Sequence, residues 1–239
     1  MNSFFINAAE LINSKQVPSC DFHIHTNYAD GKASVKEVFE KAISIGLDAI
    51  AFTEHTETWH HSDDEWFIRY YNEIEHNKNI FKGNIKAFIG IEAPAISFNG
   101  DIEASDEMIT KVDFILGAAH RYPNLGNRKV KELSLAEAVD MEYKTLMGLI
   151  QSENVDVIAH IGATCSKYCG PFPKHLSREI ICEAVKNHKI IEVNPVYHKP
   201  LKKFIELCAK ENAKICLGSN AHGFNDIGLI VREIKKLYS

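Results

Sequence analysis

The chain has 239 residues, of which 45% are hydrophobic and 25% charged, as expected of a folded globular protein. With a formal net charge of -5, the protein has no overall positive potential that would attract nucleic acid. An acidic ligand that binds through a metal ion would not need such a potential. The segment 1–15 lacks the pattern of a secretory signal, and no uncharged apolar run approaches the ~18 residues of a membrane span. We therefore expect a cytoplasmic protein that has neither nucleic acid nor a membrane as its partner.

The six cysteines are scattered through apolar segments, which predicts free thiols in a reducing compartment. Cys165 and Cys169 have C-x-x-x-C spacing, which can hold zinc when a second Cys/His pair is present. No such pair accompanies them in the sequence, so free thiols are favoured here too.

The predicted elements repeat one unit along the chain: a short apolar strand, a polar cluster at its end and an amphipathic helix. The first strand is predicted at 20–25. Ser34 and Glu37 then form a capping box, which predicts the start of a helix. Gly46 suits the end of that helix, because glycine adopts the left-handed conformation of a C-cap. A buried strand is predicted next, at 48–53.

Two further capping boxes, Ser62/Glu65 and Ser134/Glu137, predict helix starts. The remaining buried strands are predicted at 86–91, 112–119, 155–159, 190–193 and 214–218. Alternation of seven strands with helices predicts an α/β fold with a mainly parallel sheet. Polar residues at nearly every strand end favour a barrel over an open doubly wound sheet. The chain carries no G-x-G-x-x-G or P-loop motif, and no composition shift divides it, so a single domain over 1–239 is expected.

Polar side chains end all seven predicted strands, and in a parallel barrel these ends share one face. The side chains are His23 and His25, Glu54 and His55, Glu92, His120, His160, Glu192 and Asn194, and Asn220 and His222. Strand alternation places His23 and His25 on one side, so both can reach one ion. A single strand-end histidine is more often structural. Six of them at five strand ends predict a metal site, with Glu92 as the candidate bridging carboxylate.

The other six histidines carry weaker predictions. Five of them are predicted to be solvated surface residues: His60, His61, His76, His175 and His188. His198 follows Asn194-Pro195 on the same face as the predicted site. A plain loop role is favoured for it over a contact with substrate.

Six ordered motifs resemble those of the polymerase and histidinol phosphatase (PHP) family. They are Asp21-Phe22-His23-Ile24-His25-Thr26 with Asp30-Gly31, Phe52-Thr53-Glu54-His55, Gly90-Ile91-Glu92, His120, Ile158-Ala159-His160, and Gly218-Ser219-Asn220-Ala221-His222. The resemblance spans about residues 20–223 and implies a distorted seven-stranded (β/α)7 TIM-like barrel. It also implies two or three divalent ions of zinc, manganese or iron.

The resemblance implies three sets of metal ligands. They are His23, His25, Glu92 and Asn220; Asp30, His55 and His222; and Glu92, His120 and His160, with Glu92 bridging. Glu54 replaces the family's usual aspartate, and we expect it to act as a capping residue behind the ligands. Asn220 replaces the aspartate of the last motif, which predicts either weaker binding of one ion or a different metal there, because an amide oxygen carries no charge.

The family's chemistry implies hydrolysis of a small phosphate monoester by a metal-bound water, with Asp30 and His222 serving as ligands or as assistants. Arg121 is the candidate phosphate contact, weighed evenly against a solvated surface charge, because guanidinium matches phosphate geometry. Lys167 and Lys174 are second candidates, and for them a surface role is favoured. Histidinol phosphate is the leading substrate, followed by nucleotides or other phosphomonoesters.

Two other classes of protein remain open on the sequence alone. Metallo-barrels of the amidohydrolase type also begin with H-x-H, but they usually supply a lysine and an aspartate where this chain has His120 and Asn220. The other class is a metal-stabilised module without activity, which Asn220 keeps open. Turnover of p-nitrophenyl phosphate with added manganese discriminates among these possibilities.

Overall fold

The computed structural model describes residues 4–63 and 65–238, and those residues contain eight strands and nine α-helices. The strands are β1 (Ile6–Asn7), β2 (Cys20–Ile24), β3 (Ala49–His55), β4 (Lys86–Pro94), β5 (Phe114–Ala118), β6 (Val157–Ile158), β7 (Ile190–Val193) and β8 (Lys214–Leu217). The helices are α1 (Ala8–Ser14), α2 (Val35–Ser44), α3 (Trp66–Ile80), α4 (Asp106–Lys111), α5 (Leu135–Gln151), α6 (Ala163–Tyr168), α7 (Lys174–Lys186), α8 (Leu201–Lys210) and α9 (Leu229–Tyr238). All seven predicted strands are confirmed as β2 to β8.

The seven predicted strands form one parallel sheet in chain order, as the alternation of strands and helices predicted. The short strand β1, which the sequence did not reveal, pairs antiparallel with β8 at the edge. Between β2 and β8 the ladder is reduced to a bridge at Ile24 and Ala221, where the backbone amide of His25 donates to the Ala221 carbonyl at 2.9 Å. The hydrogen-bond ladder between β2 and β8 is not continuous. The fold is therefore a distorted, barrel-like sheet that is not fully closed.

Two of the three predicted capping boxes are formed. At Ser34 and at Ser134 the side-chain oxygen accepts from the third helical amide, and the glutamate there accepts from the serine amide. The predicted box at Ser62/Glu65 is wrong. The hydroxyl of Ser62 donates to Asp63, and α3 begins at Trp66 without a side-chain cap.

A one-residue shift in the register of β2 against β3 falls between Asp21 and Ile24. Phe22 packs edge-on against Phe88 at a ring distance of 5.7 Å, within the aromatic core. The adjacent His23 reaches Glu92 instead. Strand alternation gives these two consecutive residues separate roles, one in the core and one in the polar site, and the bulge shifts the register of the residues that follow.

Two smaller findings bear on the predictions made from composition. All six cysteines are free thiols, as predicted, and none belongs to a candidate metal-binding group in the described part of the chain. Among the same residues, no helix has the length and apolar character needed to cross a membrane.

Candidate metal centre and active site

Glu92, at the carboxyl half of β4, lies at the centre of a histidine cluster and is fully buried. Its Oε1 lies 2.7 Å from Nε2 of His160 and 3.0 Å from Nε2 of His120. Its Oε2 lies 3.1 Å from Nδ1 of His55, 3.3 Å from Nε2 of His23 and 3.5 Å from Nε2 of His25. Five histidines from four strand ends, those of β2, β3, β5 and β6, therefore converge on one carboxylate of β4.

Asp30 and His222 form a second part of the cluster, beside His55. Oδ1 of Asp30 lies 3.2 Å from Nε2 of His222 and 3.5 Å from Nε2 of His55. Nδ1 of His222 donates to the Asn220 carbonyl at 2.9 Å, so in the neutral ring Nε2 carries the lone pair that faces Asp30.

The donor set fits metal ions. Carboxylate oxygens and imidazole lone pairs face one another at these short distances, and such an arrangement requires positive charge between them. Hydrogen bonds do not satisfy all of these atoms. Among the residues that the structure describes, the buried Nδ1 atoms of His25 and His55 and the Oε2 atoms of Glu57 and Glu92 have no hydrogen-bond partner. Histidine and carboxylate are the ligands that zinc, manganese and iron share.

Three groups of potential ligands lie close enough to hold an ion, with the ligand atoms of each group within 4.8 Å of one another. They are His25, Asp30, His55 and His222; His23, Glu92 and His160; and His55, Glu57 and His120. All nine predicted ligand positions thus lie in one region, since Oδ1 of Asn220 is 3.0 Å from Nε2 of His25. The grouping differs from that implied by the sequence, because His25 joins Asp30 and His160 joins His23.

Two glutamates were not assigned roles from the sequence. Glu57 is almost fully buried, and its Oε1 lies 2.7 Å from Nδ1 of His120. Its position two residues after His55, on the same side of an extended strand end, is the sequence signal that could have identified it. Glu192 was noted as a strand-end residue only, and it accepts from Nδ1 of His23 at 2.8 Å and from the His160 amide at 2.6 Å.

Glu54 accepts from the Thr26 amide at 2.6 Å, which confirms its predicted capping role behind the ligands. Asn220 has a φ of 50°, in the left-handed region that asparagine tolerates better than most residues. Gly218 is required by close packing, because a Cβ there would lie 2.5 Å from Oε1 of Glu192 and 2.7 Å from Cβ of His23.

The electrostatics of the cluster favour a bound cation. Burial opposes the ionisation of Glu92, but the surrounding histidines, His120 first, outweigh it and hold the pKa of Glu92 well below its usual range. Burial likewise opposes protonation of His23, yet Glu92 and Glu192 raise the pKa of His23 to about 10. At His55 burial prevails and lowers the pKa to about 4, leaving a neutral imidazole suited to ligation.

A cavity of about 370 Å³ opens over the cluster. Its wall includes Asp30, Glu57 and Lys167, together with the rings of Trp59, Tyr168 and Tyr197. His60 also lines it and stacks on His55 at a ring distance of 4.7 Å, and His61 stacks on Trp66 at 3.6 Å, so neither ring is simply solvated. The aromatic wall was not predicted, because its members lie in loops and in the short α6.

Of the predicted substrate contacts, the structure brings only Lys167 into this cavity. Arg121 is not among the residues that line the cavity; it donates to Glu103, and its guanidinium lies 4.5 Å from the ring of Trp59. Lys174 and His198 line a neighbouring cleft. Arg121 is thus engaged in an ion pair, and this geometry disfavours it as the phosphate contact.

A barrel-like α/β sheet with a buried histidine and carboxylate cluster at the carboxyl ends of its strands defines a metal-dependent hydrolase. The family model of the PHP domain matches residues 21–196. The chain belongs to the PHP domain family, and it is an enzyme of the metal-dependent phosphatase class.

Curated relatives and a solved structure agree with this membership. A protein of Acetivibrio thermocellus named "Probable phosphatase" is 24% identical over 226 residues, covering 91% of this chain and 85% of the relative. One of the same name from Caldicellulosiruptor bescii is 26% identical over 216 residues, covering 86% and 80%. The histidinol phosphate phosphatase of Lactococcus lactis, solved with zinc, L-histidinol and phosphate, has a TM-score of 0.72 at 22% identity, covering 93% of this chain and 94% of its own. At 22% identity, the similarity to the Lactococcus lactis structure shows that the two proteins share a fold.

Proposed function

We propose that this protein hydrolyses the phosphate monoester of a small metabolite, with histidinol phosphate as the leading substrate. The observation that carries the proposal is the buried Glu92 carboxylate with imidazole nitrogens of five histidines within 3.5 Å, three of which, His55, His120 and His160, line a small cavity. A carboxylate in that position would help to hold the ions of a multinuclear centre.

The nine predicted ligands, together with Glu57, would hold two or three divalent ions. When bound, such ions neutralise phosphate charge and make water a nucleophile at neutral pH. The protein contributes orientation: Glu192 holds the ring of His23, and Glu57 holds that of His120. The Nδ1–H of His222 is donated to the Asn220 carbonyl, which leaves Nε2, facing Asp30, as the ring atom available to a metal ion or a proton.

The cavity wall supports a phosphate attached to a small ring-bearing body. Lys167 supplies a cation at the wall, and three aromatic rings offer stacking surfaces beside it. Such rings bind a flat heterocycle and also attract an ammonium group through their π faces. Histidinol phosphate has both of these groups. If the protein is instead a general phosphoesterase that acts on nucleotides, the same rings would stack on the nucleotide base.

The test is phosphate release by the purified chain loaded with manganese or zinc. Substrates are p-nitrophenyl phosphate, histidinol phosphate, nucleoside monophosphates and other phosphorylated metabolites. We expect turnover that a chelator abolishes and metal restores, with kcat/KM for histidinol phosphate at least about tenfold above that for nucleotides. A higher kcat/KM for nucleotides supports the general phosphoesterase instead.

Two outcomes contradict the proposal. One is turnover only after Asn220→Asp. That result would identify the natural chain, which has Asn220, as an inactive metal-binding module. The other is fewer than two ions per chain in metal analysis of the loaded protein, which removes the multinuclear centre. Glu92→Gln is the matched variant for loss of metal binding. Glutamine keeps the size of the side chain but lacks the charge of the central carboxylate.

A further inference from the structure

Trp59 lines the cavity over the histidine cluster and is 58% exposed. In the described part of the chain three aromatic residues are exposed, and two of them, Trp59 and Tyr168, line this cavity. An exposed indole is a large apolar surface that folding leaves in water. Beside a candidate metal centre, such a surface is suited to the organic part of a ligand.

The turn that carries Trp59 is held by Glu103. This turn, Thr58–His60, is a single 3₁₀ turn without a side-chain cap from the residue before it. Oε1 of Glu103 accepts from the Thr58 amide at 3.2 Å and so takes the place of that cap. Glu103 lies in the loop after β4, where its own amide donates to the Pro94 carbonyl at 3.0 Å. The loops after β3 and β4 are thereby joined.

The other carboxylate oxygen of Glu103 holds Arg121, which in turn packs on the indole ring. Arg121 donates to Oε2 of Glu103, and its guanidinium lies 4.5 Å from the centre of the Trp59 ring. A planar guanidinium at this distance is attracted by the π face of the ring. Glu103 therefore binds both the backbone of the turn and the cation that contacts its exposed side chain.

The same turn is also attached to the metal cluster. His60 stacks on His55 at a ring distance of 4.7 Å and an interplanar angle of 12°. Trp59 thus lies between an amide held by Glu103 and a ring held by a predicted metal ligand. A side chain that is fixed in advance loses less conformational entropy when a ligand binds.

We propose that Trp59 binds the alcohol part of the substrate by stacking on a flat aromatic ring, such as imidazole, and that Glu103 and Arg121 are positioning residues that hold its indole in place. This role rests on the proposed function, hydrolysis of a phosphate monoester, and names the group that carries the phosphate. Stacking on that group changes little between the bound substrate and the transition state. Trp59 should therefore act on KM rather than on kcat.

The first test compares two phosphate monoesters, histidinol phosphate and ethyl phosphate, which has no ring. Trp59→Leu should raise KM for histidinol phosphate by about tenfold or more, with a change in kcat of less than about threefold. KM for ethyl phosphate should change by less than about threefold. The matched control is Phe224→Leu: Phe224 is 46% exposed and has the ammonium group of Lys41 4.9 Å from its ring, but it does not line the cavity.

A second set of variants tests the positioning residues. Arg121→Gln removes the cation from the indole, and Glu103→Gln removes the charge that holds Arg121. Each should raise KM for histidinol phosphate by about threefold or more, without a comparable change for ethyl phosphate. Arg178→Gln is the control, because it breaks an exposed ion pair with Glu211 and does not touch the cavity. Natural KM values, or a change of equal size for the two substrates, overturn the positioning role.

A binding measurement tests the same contact without catalysis. The chain has two tryptophans, so ¹⁵N-tryptophan labelling of the zinc-loaded protein gives two indole N–H resonances, which Trp59→Phe assigns. L-histidinol, the alcohol that hydrolysis would release, should shift the Trp59 resonance to saturation, with at least about threefold weaker binding in Arg121→Gln. Trp66 is 5% exposed and does not line the cavity, so its resonance should move much less. An unmoved Trp59 resonance overturns the proposal.

Failure of the hydrolysis proposal would show separately, as absent turnover of p-nitrophenyl phosphate by the natural chain. The titration with L-histidinol would then still decide whether Trp59 binds a ring. Normal turnover, combined with an equal effect of Trp59→Leu on both substrates, contradicts only the role of Trp59.

Discussion

Oε1 of Glu192 accepts a hydrogen bond from Nδ1 of His23 at 2.8 Å, and both side chains are fully buried. The contact fixes the ring so that Nε2 faces Glu92. Burial opposes ionisation of Glu192, but His23 outweighs it and holds the pKa of Glu192 at about 2. A carboxylate behind a histidine ligand both orients the ring and raises its basicity, so Glu192 should control metal affinity without touching the ion.

Glu192→Gln should weaken metal binding by about 10–100-fold while leaving the fold intact, because glutamine keeps the size of the side chain but loses its charge. Competition with a chromogenic chelator measures the affinity. Glu10→Gln, an exposed glutamate of α1, is the control and should bind metal as the natural chain does. Equal affinity in Glu192→Gln and the natural chain would show that this carboxylate has only a packing role.

Asn220→Asp should tighten metal binding by about tenfold or more, because a carboxylate adds charge to the ligand set. Oδ1 of Asn220 already lies 3.0 Å from Nε2 of His25, so no rearrangement is needed. Asn212→Asp is a matched control, since Asn212 has a similar φ of 56° but is exposed and remote from the cluster. If both variants change metal affinity equally, residue 220 is not a ligand.

Gly218→Ala should lower the free energy of unfolding by about 1–3 kcal/mol, the usual cost of overpacking, and should also reduce metal content. The added methyl group has to displace Glu192 or His23, which hold each other in place. Chemical denaturation and metal analysis measure the two effects. Gly223→Ala is the control, because its Cβ would meet only the exposed carboxylate of Asp226. A Gly218→Ala protein with natural stability and metal content contradicts this account.

Glu142 should make the protein less stable as pH rises from about 4.5 to about 7. It is buried beside Tyr122 and the Cys165 amide, and burial raises its pKa to about 7. The unfolded chain therefore loses this proton at a lower pH than the folded chain does. Between about pH 4.5 and pH 7 the folded state binds more protons, so the free energy of unfolding falls as pH increases.

The full effect of Glu142 is on the order of 3 kcal/mol. Glu142→Gln removes the titrating group but keeps an acceptor for the Cys165 amide. Urea unfolding at pH 5 and pH 8 should show a smaller difference between the two pH values in the variant than in the natural chain. Identical pH dependence in the two proteins would show that Glu142 does not titrate differently on folding.

The sequence alone determined the seven parallel strands, their arrangement in chain order and most of the candidate metal centre. Apolar runs of strand length alternate with helical stretches, and the carboxyl ends of parallel strands share one face, so His23, His55, Glu92 and His160 had to lie near one another. These inferences succeed because each depends on local periodicity and on one rule of topology.

Only the tertiary structure decided which side chains pair across those strand ends. The bulge in β2, the grouping of His25 with Asp30, and the support of His23 by Glu192 all depend on register and packing between distant segments. The same reason explains the engagement of Arg121 by Glu103, since a charged residue at a strand end bonds to whichever partner the neighbouring loop supplies. Local pattern specifies where a strand ends, whereas the three-dimensional arrangement of loops specifies what its last side chains contact.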